Sequence, residues 1–343
     1  MPLETDLKNY ESIMQNIIPK ISRAVLDKEL NKEIFFTDTN NGGNEIYIFT
    51  SNERPNLMRE VARLREITFR EAGGGTGKEM DMDDYDIGEK PFKQLIVWNP
   101  SDKEIIGGYR FICGRDIKIV DGDVKSPTTG LFKFSEKFIK EYLPHSIELG
   151  RSFVQPNYQP TFNLRKGMYS LDNLWDGLGA LSVEYPEIKY LYGKMTMYTD
   201  YNVYARDTLL YFLRNFFPDP YQLIQPHESI VAKYPDSEFE PLFTGTTYEE
   251  NYKILVRTVR KYKENIPPLV NAYMNLSASM MIFGTAVNHH FGEVEETGML
   301  ITIEDIYEKK KHRYVYTYLQ KIQQNIQQNI KSLRHLRNDR KNS

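Results

Sequence analysis

The sequence holds one cysteine, Cys113, among 343 residues. That excludes an intramolecular disulfide framework and any zinc site built on paired cysteines. Histidine is scarce as well, and the adjacent His289 and His290 would diverge on a strand rather than chelate one ion. No bound metal is expected. No apolar run approaches the ~20 residues that span a bilayer; Ser279–Val287 is about as long as any and has strand length. The N-terminus, Met-Pro-Leu-Glu-Thr-Asp, lacks the basic-then-apolar order of a signal peptide. The expectation is a cytoplasmic protein. There is no Gly-x-Ser-x-Gly elbow, which argues against a serine hydrolase.

Charge is unevenly spread. From Glu308 to Ser343 there are ten Lys or Arg against Glu308 and Asp339, a net +8, so the overall −3 leaves residues 1–307 at −11. An acidic body argues against nucleic-acid binding, because phosphate contacts need a positive face, so no nucleic-acid partner is expected. The basic tail is a candidate for an anionic surface.

The apolar spacing predicts a helix over 6–30 with a break at Pro19, a strand at 45–50, and a helix at 56–71 with Leu57, Val61, Leu64 and Phe69 inward. Residues 94–99 and 105–113 read as a hairpin turned at Asn99-Pro100-Ser101-Asp102. Strand 146–154, helix 170–185, strand 189–197 and helix 201–217 follow. Helices at 247–265 and 268–276 precede two more strands within 279–303. This order describes an α/β fold, an α+β sandwich around one central mixed sheet flanked by helices. A doubly wound dinucleotide fold is disfavoured, because no Gly-rich turn follows the first strand.

The run Ala72-Gly-Gly-Gly-Thr-Gly-Lys78-Glu79 misses a P-loop at both ends and follows a helix rather than a strand. It reads as a helix C-cap entering a flexible loop. Asp81, Asp83, Asp84 and Asp86 put four carboxylates in six residues. They form either a solvated loop or a pocket for a cationic, amine-bearing substrate; calcium is chemically admissible, but the EF-hand spacing is missing. In Glu148-Leu-Gly-Arg151-Ser-Phe-Val154, strict alternation separates Glu148 from Arg151, and a bulge near Gly150 would bring them toward one site. They are either a structural ion pair or part of a functional site.

Taken together, Arg65-x-x-x-Phe69, the Asp81-x-Asp83-x-Tyr85-Asp86 loop, Ile106-Gly-Gly-Tyr-Arg110-Phe111 and Glu148-Leu-Gly-Arg151-Ser152 resemble the acyl-homoserine-lactone synthases and the ornithine-lipid N-acyltransferases, which share the GNAT fold. Ile266-Pro-Pro-Leu-Val270-x-x-Tyr273 with Phe291-Gly292 is similar to the lipid N-acyltransferases, often labelled "hemolysin-like". The likeness covers roughly residues 55–305. It implies an N-terminal helical extension and first strand at 1–50, a GNAT-like acyltransferase domain at 51–306 and a basic amphipathic C-terminal helix at 307–343. The Gly-rich loop replaces a Trp usual in the lactone synthases, which argues against a lactone product.

The resemblance implies transfer of a fatty acyl group, 3-hydroxylated in the variants most similar to this chain, to the α-amine of a small amino acid. Glycine is favoured and ornithine comes next. The pathway implied is aminolipid biosynthesis. No permanent cofactor is implied. The coenzyme A pyrophosphate signature is absent, with Arg165-Lys166-Gly167 as its only echo, so the expected donor is a phosphopantetheine thioester on an acyl carrier protein. By resemblance, Glu148 takes the amine proton, and Arg151 and Arg110, with Arg65, orient either Glu148 or the amino-acid carboxylate. Asp81, Asp83 and Asp86 line the amine entrance beside Phe69. Backbone N–H groups near Phe153 and Val154 meet the oxyanion, and Arg165 and Lys166 serve the donor. Arg165, Lys166, Lys194 and Arg206 are the candidate docking cations.

Two other readings use the same fold: an acetyl-CoA-dependent acetyltransferase, or a non-catalytic carrier-binding or lipid-binding protein. In the tail, Leu319, Ile322, Ile326, Ile330 and Leu333 make an apolar stripe. The stripe either docks on the body or a second subunit, or carries the protein to the inner face of an anionic membrane.

Overall fold

In the computed structural model, residues 14–342 are described, with side chains to Gln328 and at Ile330. Eight strands form one sheet: β1 (Phe35–Asp38), β2 (Glu45–Phe49), β3 (Lys93–Asn99), β4 (Glu104–Cys113), β5 (Ser146–Val154), β6 (Tyr190–Met197), β7 (Met281–Asn288) and β8 (Val294–Thr302). Their spatial order is β1-β2-β3-β4-β5-β6-β8-β7. Every neighbouring pair is antiparallel except β5 with β6, which run parallel.

Alternation along the strands divides the core. Leu95, Val97, Phe111, Leu149, Leu191 and Met195 face one side. There they meet helices α3 (Ser170–Glu184), α4 (Val203–Phe216), α5 (Tyr248–Lys261) and α6 (Pro268–Met274). Ile96, Trp98 and Phe153 face the other side, against α1 (Arg23–Glu29) and α2 (Pro55–Glu71). Proline at the first position of α2 and the apolar spacing of Leu57, Val61 and Leu64 start and orient that helix.

The predicted N-terminal helix is largely replaced. Residues 1–13 lie outside the described part, and residues 14–22 are irregular. Gln15 and Ile18 donate their N–H groups to the carbonyls of Gly77 and Glu79 at 2.9 and 3.0 Å. Proline at 19 supplies no N–H, and the helix starts only after Ser22, whose hydroxyl accepts from the Val25 N–H.

The basic tail is helical from Glu308, with a π turn at His312–Tyr316 leading into α7 (Thr317–Asn342). Its first turns dock: Tyr314 donates to Asp172, Tyr318 to Glu184, and Lys321 to the Asp38 carbonyl. In the apolar stripe itself Leu319, Ile326 and Ile330 are exposed and Ile322 is partly covered, so among the described residues the tail docks through Tyr314, Tyr318 and Lys321 and not through the stripe. Leu333 lies among residues whose side chains are not described.

Candidate active site

Beyond the pair Leu149–Gly193, β5 and β6 separate while β6 stays paired with β8 along its whole length. Gly193 stands at the crotch, where a Cβ would come within 2.5 Å of the Leu149 carbonyl oxygen. On the other edge of β5 a bulge intervenes. Arg110 pairs with Gly150 and Gly108 with Phe153, so three steps on β5 oppose two on β4, and Arg151 has φ +50°. The bulge resets the alternation. Leu149 and Val154 both contact the α3 side although they are five positions apart, whereas Phe153 packs on the α2 side.

The Gln155 N–H donates to the Ile106 carbonyl at 2.9 Å beside the pair Val154–Gly107. In that register the Val154 N–H points away from β4, to the open edge of the fork. Of the two N–H groups expected to meet an oxyanion, that of Val154 lies on the open edge and that of Phe153 faces β4, while the Phe153 ring lines the cavity.

A cavity of about 430 Å³ runs through this fork. On the α2 side it is walled by Phe69, Arg110, Glu148, Lys194, Phe291 and Glu296. On the other it reaches Gln159, Gly167, Ser170 and Leu269. A cavity lined from both faces of a sheet lets two substrates meet at one point from opposite sides.

Glu148 is 2 % exposed at the root of the fork. Its Oε1 accepts from the Ser126 hydroxyl at 3.0 Å, the Thr128 N–H at 3.2 Å and the Thr128 hydroxyl at 2.6 Å; its Oε2 accepts from Tyr192 at 2.8 Å. Burial first, and then the Glu148 charge, keep the Tyr192 phenol protonated far above the ordinary range, so it stays a donor. All four donors are neutral. Among the described residues no Lys, Arg or His pairs with Glu148, and one lone-pair direction on Oε2 is left without a protein donor.

Of the two carboxylates expected for the arginines, Glu148 and that of the amino acid, Glu148 is not their partner; aspartates are. Arg65 bonds both oxygens of Asp86 at 3.1 Å and also Gln94; Arg110 bonds Asp83 at 2.7 Å and Asp86 at 3.0 Å. The Arg151 Nε lies 2.8 Å from Asp81 Oδ2 and donates to Oδ1 at 3.2 Å, with its guanidinium over the Phe291 ring. Phe69 meets Phe291 edge-on at 5.1 Å. Three arginines neutralise three aspartates. Burial opposes ionisation of Asp86, but Arg65 and Arg110 hold it well below the usual carboxylate range, while burial outweighs Arg151 at Asp81 and pushes that carboxyl up. Arg65, Asp81 and Asp86 are fully buried, and none of the three aspartates lines the cavity. They frame the site instead of lining an amine entrance, while Arg110, Arg151 and Phe69 do reach the wall.

The Gly-rich loop is held, not loose. Glu66 in α2 accepts from the Thr76 N–H and hydroxyl and from the Gly77 N–H at 2.8–3.1 Å. Two of the loop's N–H groups, those of Thr76 and Gly77, are thereby spent inside the protein. Lys166 pairs with Asp102 at 2.7 Å in a separate hollow, and Lys194 and Arg206 are partly buried in ion pairs with Glu296 and with Asp207 and Glu295. Of the four expected docking cations, Arg165 alone is exposed and without a partner among the described residues, beside exposed Phe162, Leu164 and Met168.

The sequence reading missed Ser126, Thr128 and Tyr192 around Glu148, and the pair Lys194–Glu296. A lysine in the middle of the apolar strand Tyr-Leu-Tyr-Gly-Lys-Met-Thr-Met was the available signal.

Residues 64–165 match the acetyltransferase (GNAT) domain family. The chain is 51% identical over 308 residues, 90% of its own length and 91% of the relative's, to a glycine N(alpha)-acyltransferase of Bacteroides thetaiotaomicron. A protein of the same name from Phocaeicola vulgatus is 50% identical over 308 residues, covering 90% of this chain and 94% of the relative. Among solved structures, a CoA-dependent acyl-homoserine lactone synthase aligns with 48% of this chain and 72% of its own at 14% identity and a TM-score of 0.27.

Proposed function

The chain belongs to the family of these GNAT-domain N-acyltransferases, and from that premise we propose that it moves a 3-hydroxy fatty acyl group from an acyl-carrier-protein thioester to the α-amine of glycine, as a step in aminolipid synthesis. The observation that carries this reading is Glu148: a buried carboxylate, held by four neutral donors and facing no cation, at the point where the cavity crosses the sheet. An uncompensated carboxylate draws an ammonium and can take its proton.

In the proposed reaction, the glycine ammonium loses a proton to Glu148 and its nitrogen attacks the thioester carbonyl. The carbonyl oxygen, now negative, meets the Val154 N–H. The C–N bond forms, the C–S bond breaks, and the second proton shed by nitrogen ends on the leaving sulfur. Arg151 is a positioning residue: through Asp81 and Phe291 it fixes the bulge that aims the open edge of β5.

A carrier-protein donor is favoured over coenzyme A by the start of α3. Its first turn carries Asp172, tied to Arg313 and Tyr314, so an ion pair occupies the start of the helix that a pyrophosphate would need bare. Arg165 and its apolar neighbours, exposed between Thr161 and Ser170 of the cavity wall, fit an acidic carrier surface. The test is mass spectrometry of products from purified protein, glycine, and matched acyl-carrier-protein and acyl-coenzyme A donors. N-acylglycine from the carrier donor, with kcat/KM at least about tenfold above the coenzyme A donor, supports the reading; comparable values overturn the carrier assignment. Acyl transfer to ornithine in preference to glycine overturns the acceptor.

A further inference from the structure

Tyr192, Lys194 and Thr196 alternate onto one face of β6, the face that Glu148 shares. Lys194 is a costly residue there. Its side chain is 14 % exposed, and its Nζ lies 2.7 Å from Glu296 Oε2 on the neighbouring strand β8. A buried ion pair is seldom more stable than an apolar replacement of the same size, so stability gives little reason for it. Its other contact is more informative. Nζ donates to the Pro127 carbonyl at 3.3 Å, and the N–H of the same peptide group, that of Thr128, donates to Glu148 Oε1 at 3.2 Å.

A peptide group is rigid, with its oxygen and its N–H on opposite sides. Glu148 and Lys194 are thus fixed at the two ends of one planar unit, at most about 9 Å apart. Glycine with a hydrogen bond of about 2.8 Å at its ammonium and another at its carboxylate spans about 8–9 Å. Two contacts of the ammonium of Lys194 are occupied, which leaves one N–H unused by the protein. Arg110 and Arg151 already face Asp81, Asp83 and Asp86.

We propose that Lys194, braced by Glu296, binds the carboxylate of the acceptor while Glu148 meets its amine, so that the Pro127–Thr128 peptide sets the length of acceptor the site takes. This rests on the acyltransferase reading above and deepens it: the acceptor class is a free α-amino acid, recognised by both of its charges. Glu296 is a positioning residue that fixes the rotamer of Lys194.

The experiment compares glycine with glycinamide, which keeps the amine and loses the charged carboxylate. The wild-type protein should prefer glycine. Lys194→Met should raise the glycine KM about 10- to 100-fold, the span expected for a lost charged hydrogen bond, leave the donor KM within a few-fold, and erase the preference over glycinamide. Lys194→Arg should restore part of it. Because Lys194→Met strands a buried Glu296, the double variant Lys194→Met/Glu296→Gln is measured beside it, with Tm as a check of folding, and should show the same loss of preference. An unchanged glycine-to-glycinamide ratio in folded variants, or an equal loss with both amines, overturns the assignment alone. A wild-type protein that acylates neither amine overturns the glycine-acceptor reading, and this assignment with it.

Discussion

Tyr192 and Glu148 are strand partners at the last parallel rungs before β5 and β6 separate, and the phenol of one donates to the carboxylate of the other across 2.8 Å. The bond closes the root of the fork and fixes the direction of Oε2. Together with Ser126 and Thr128 it stabilises a buried charge without a counter-ion, which only several neutral donors can do.

Glu148→Gln keeps the size of the side chain and removes its basicity. Turnover should fall about 10²- to 10⁴-fold, the usual share of a general base, with a much smaller change in the glycine KM. Steady-state rates across neutral pH decide it. Rates within a few-fold of wild type would make Glu148 a structural residue and put the base elsewhere.

Arg65 tests whether the arginine–aspartate network is frame or binding surface. It is fully buried and bonded to Asp86 and Gln94. Arg65→Met leaves two cations for three aspartates and should cost about 3–5 kcal/mol by urea unfolding, as for a broken buried pair. The depressed Asp86 carboxyl gives the sign with pH: its stabilisation is present above the ordinary aspartate range and lost as pH falls through the folded value. Where the variant stays folded, its glycine KM should stay within a few-fold of wild type. A large KM change in a folded Arg65→Met protein would return Arg65 to the substrate.

Much of this was legible along the chain. Strands β2 to β8 follow from alternation and turn residues, and Gly150 marked the bulge, because a glycine inside an apolar strand leaves room for one. The unread parts are tertiary. Nothing local tells that Asp81, Asp83 and Asp86 turn inward, since their arginines come from α2, β4 and β5. Strand β1 hides in a turn-rich stretch because it is a four-residue edge strand with one buried side chain, Thr37. The Glu148 donors Ser126 and Thr128 come from a loop with no periodicity, and a lysine inside an apolar strand marks Lys194 without naming its partner, Glu296, which lies one strand away.

Asp176 carries a pH signature of its own. It accepts from the Asn40 N–H at 2.9 Å and from the Asn40 Nδ2 at 2.6 Å, and Asn40 in turn bonds Thr317 at the start of α7. Burial pushes its carboxyl up to about 6. A raised acid is stabilising when protonated, so its contribution is complete below the unfolded value of 3.8 and fades as pH rises through about 6. Two units correspond to about 2–3 kcal/mol at most. The difference in unfolding free energy between wild type and Asp176→Asn should therefore drift between pH 4 and 7 and be flat above. A constant difference across that window would mean that Asp176 does not titrate there.

The tail gives the last test, because its two halves differ. Up to Lys321 it is bound to the body through Tyr314, Tyr318 and Lys321, so removing all of residues 308–343 would strip a packed surface from α3. Beyond it, Ile326 and Ile330 stand exposed, in a segment that also carries Lys331, Arg334, Arg337, Arg340 and Lys341. An apolar stripe with neighbouring cations suits a headgroup boundary of anionic lipid, and an acidic body would be repelled from the same surface. Full-length protein should sediment with phosphatidylglycerol-containing liposomes at low salt and be released as salt rises. Truncation after Lys321 should abolish that binding and leave turnover of a soluble acyl donor unchanged. Full-length protein that ignores such liposomes at low salt, or forms dimers that the same truncation dissolves, would assign the stripe to a second copy of the chain instead of a membrane.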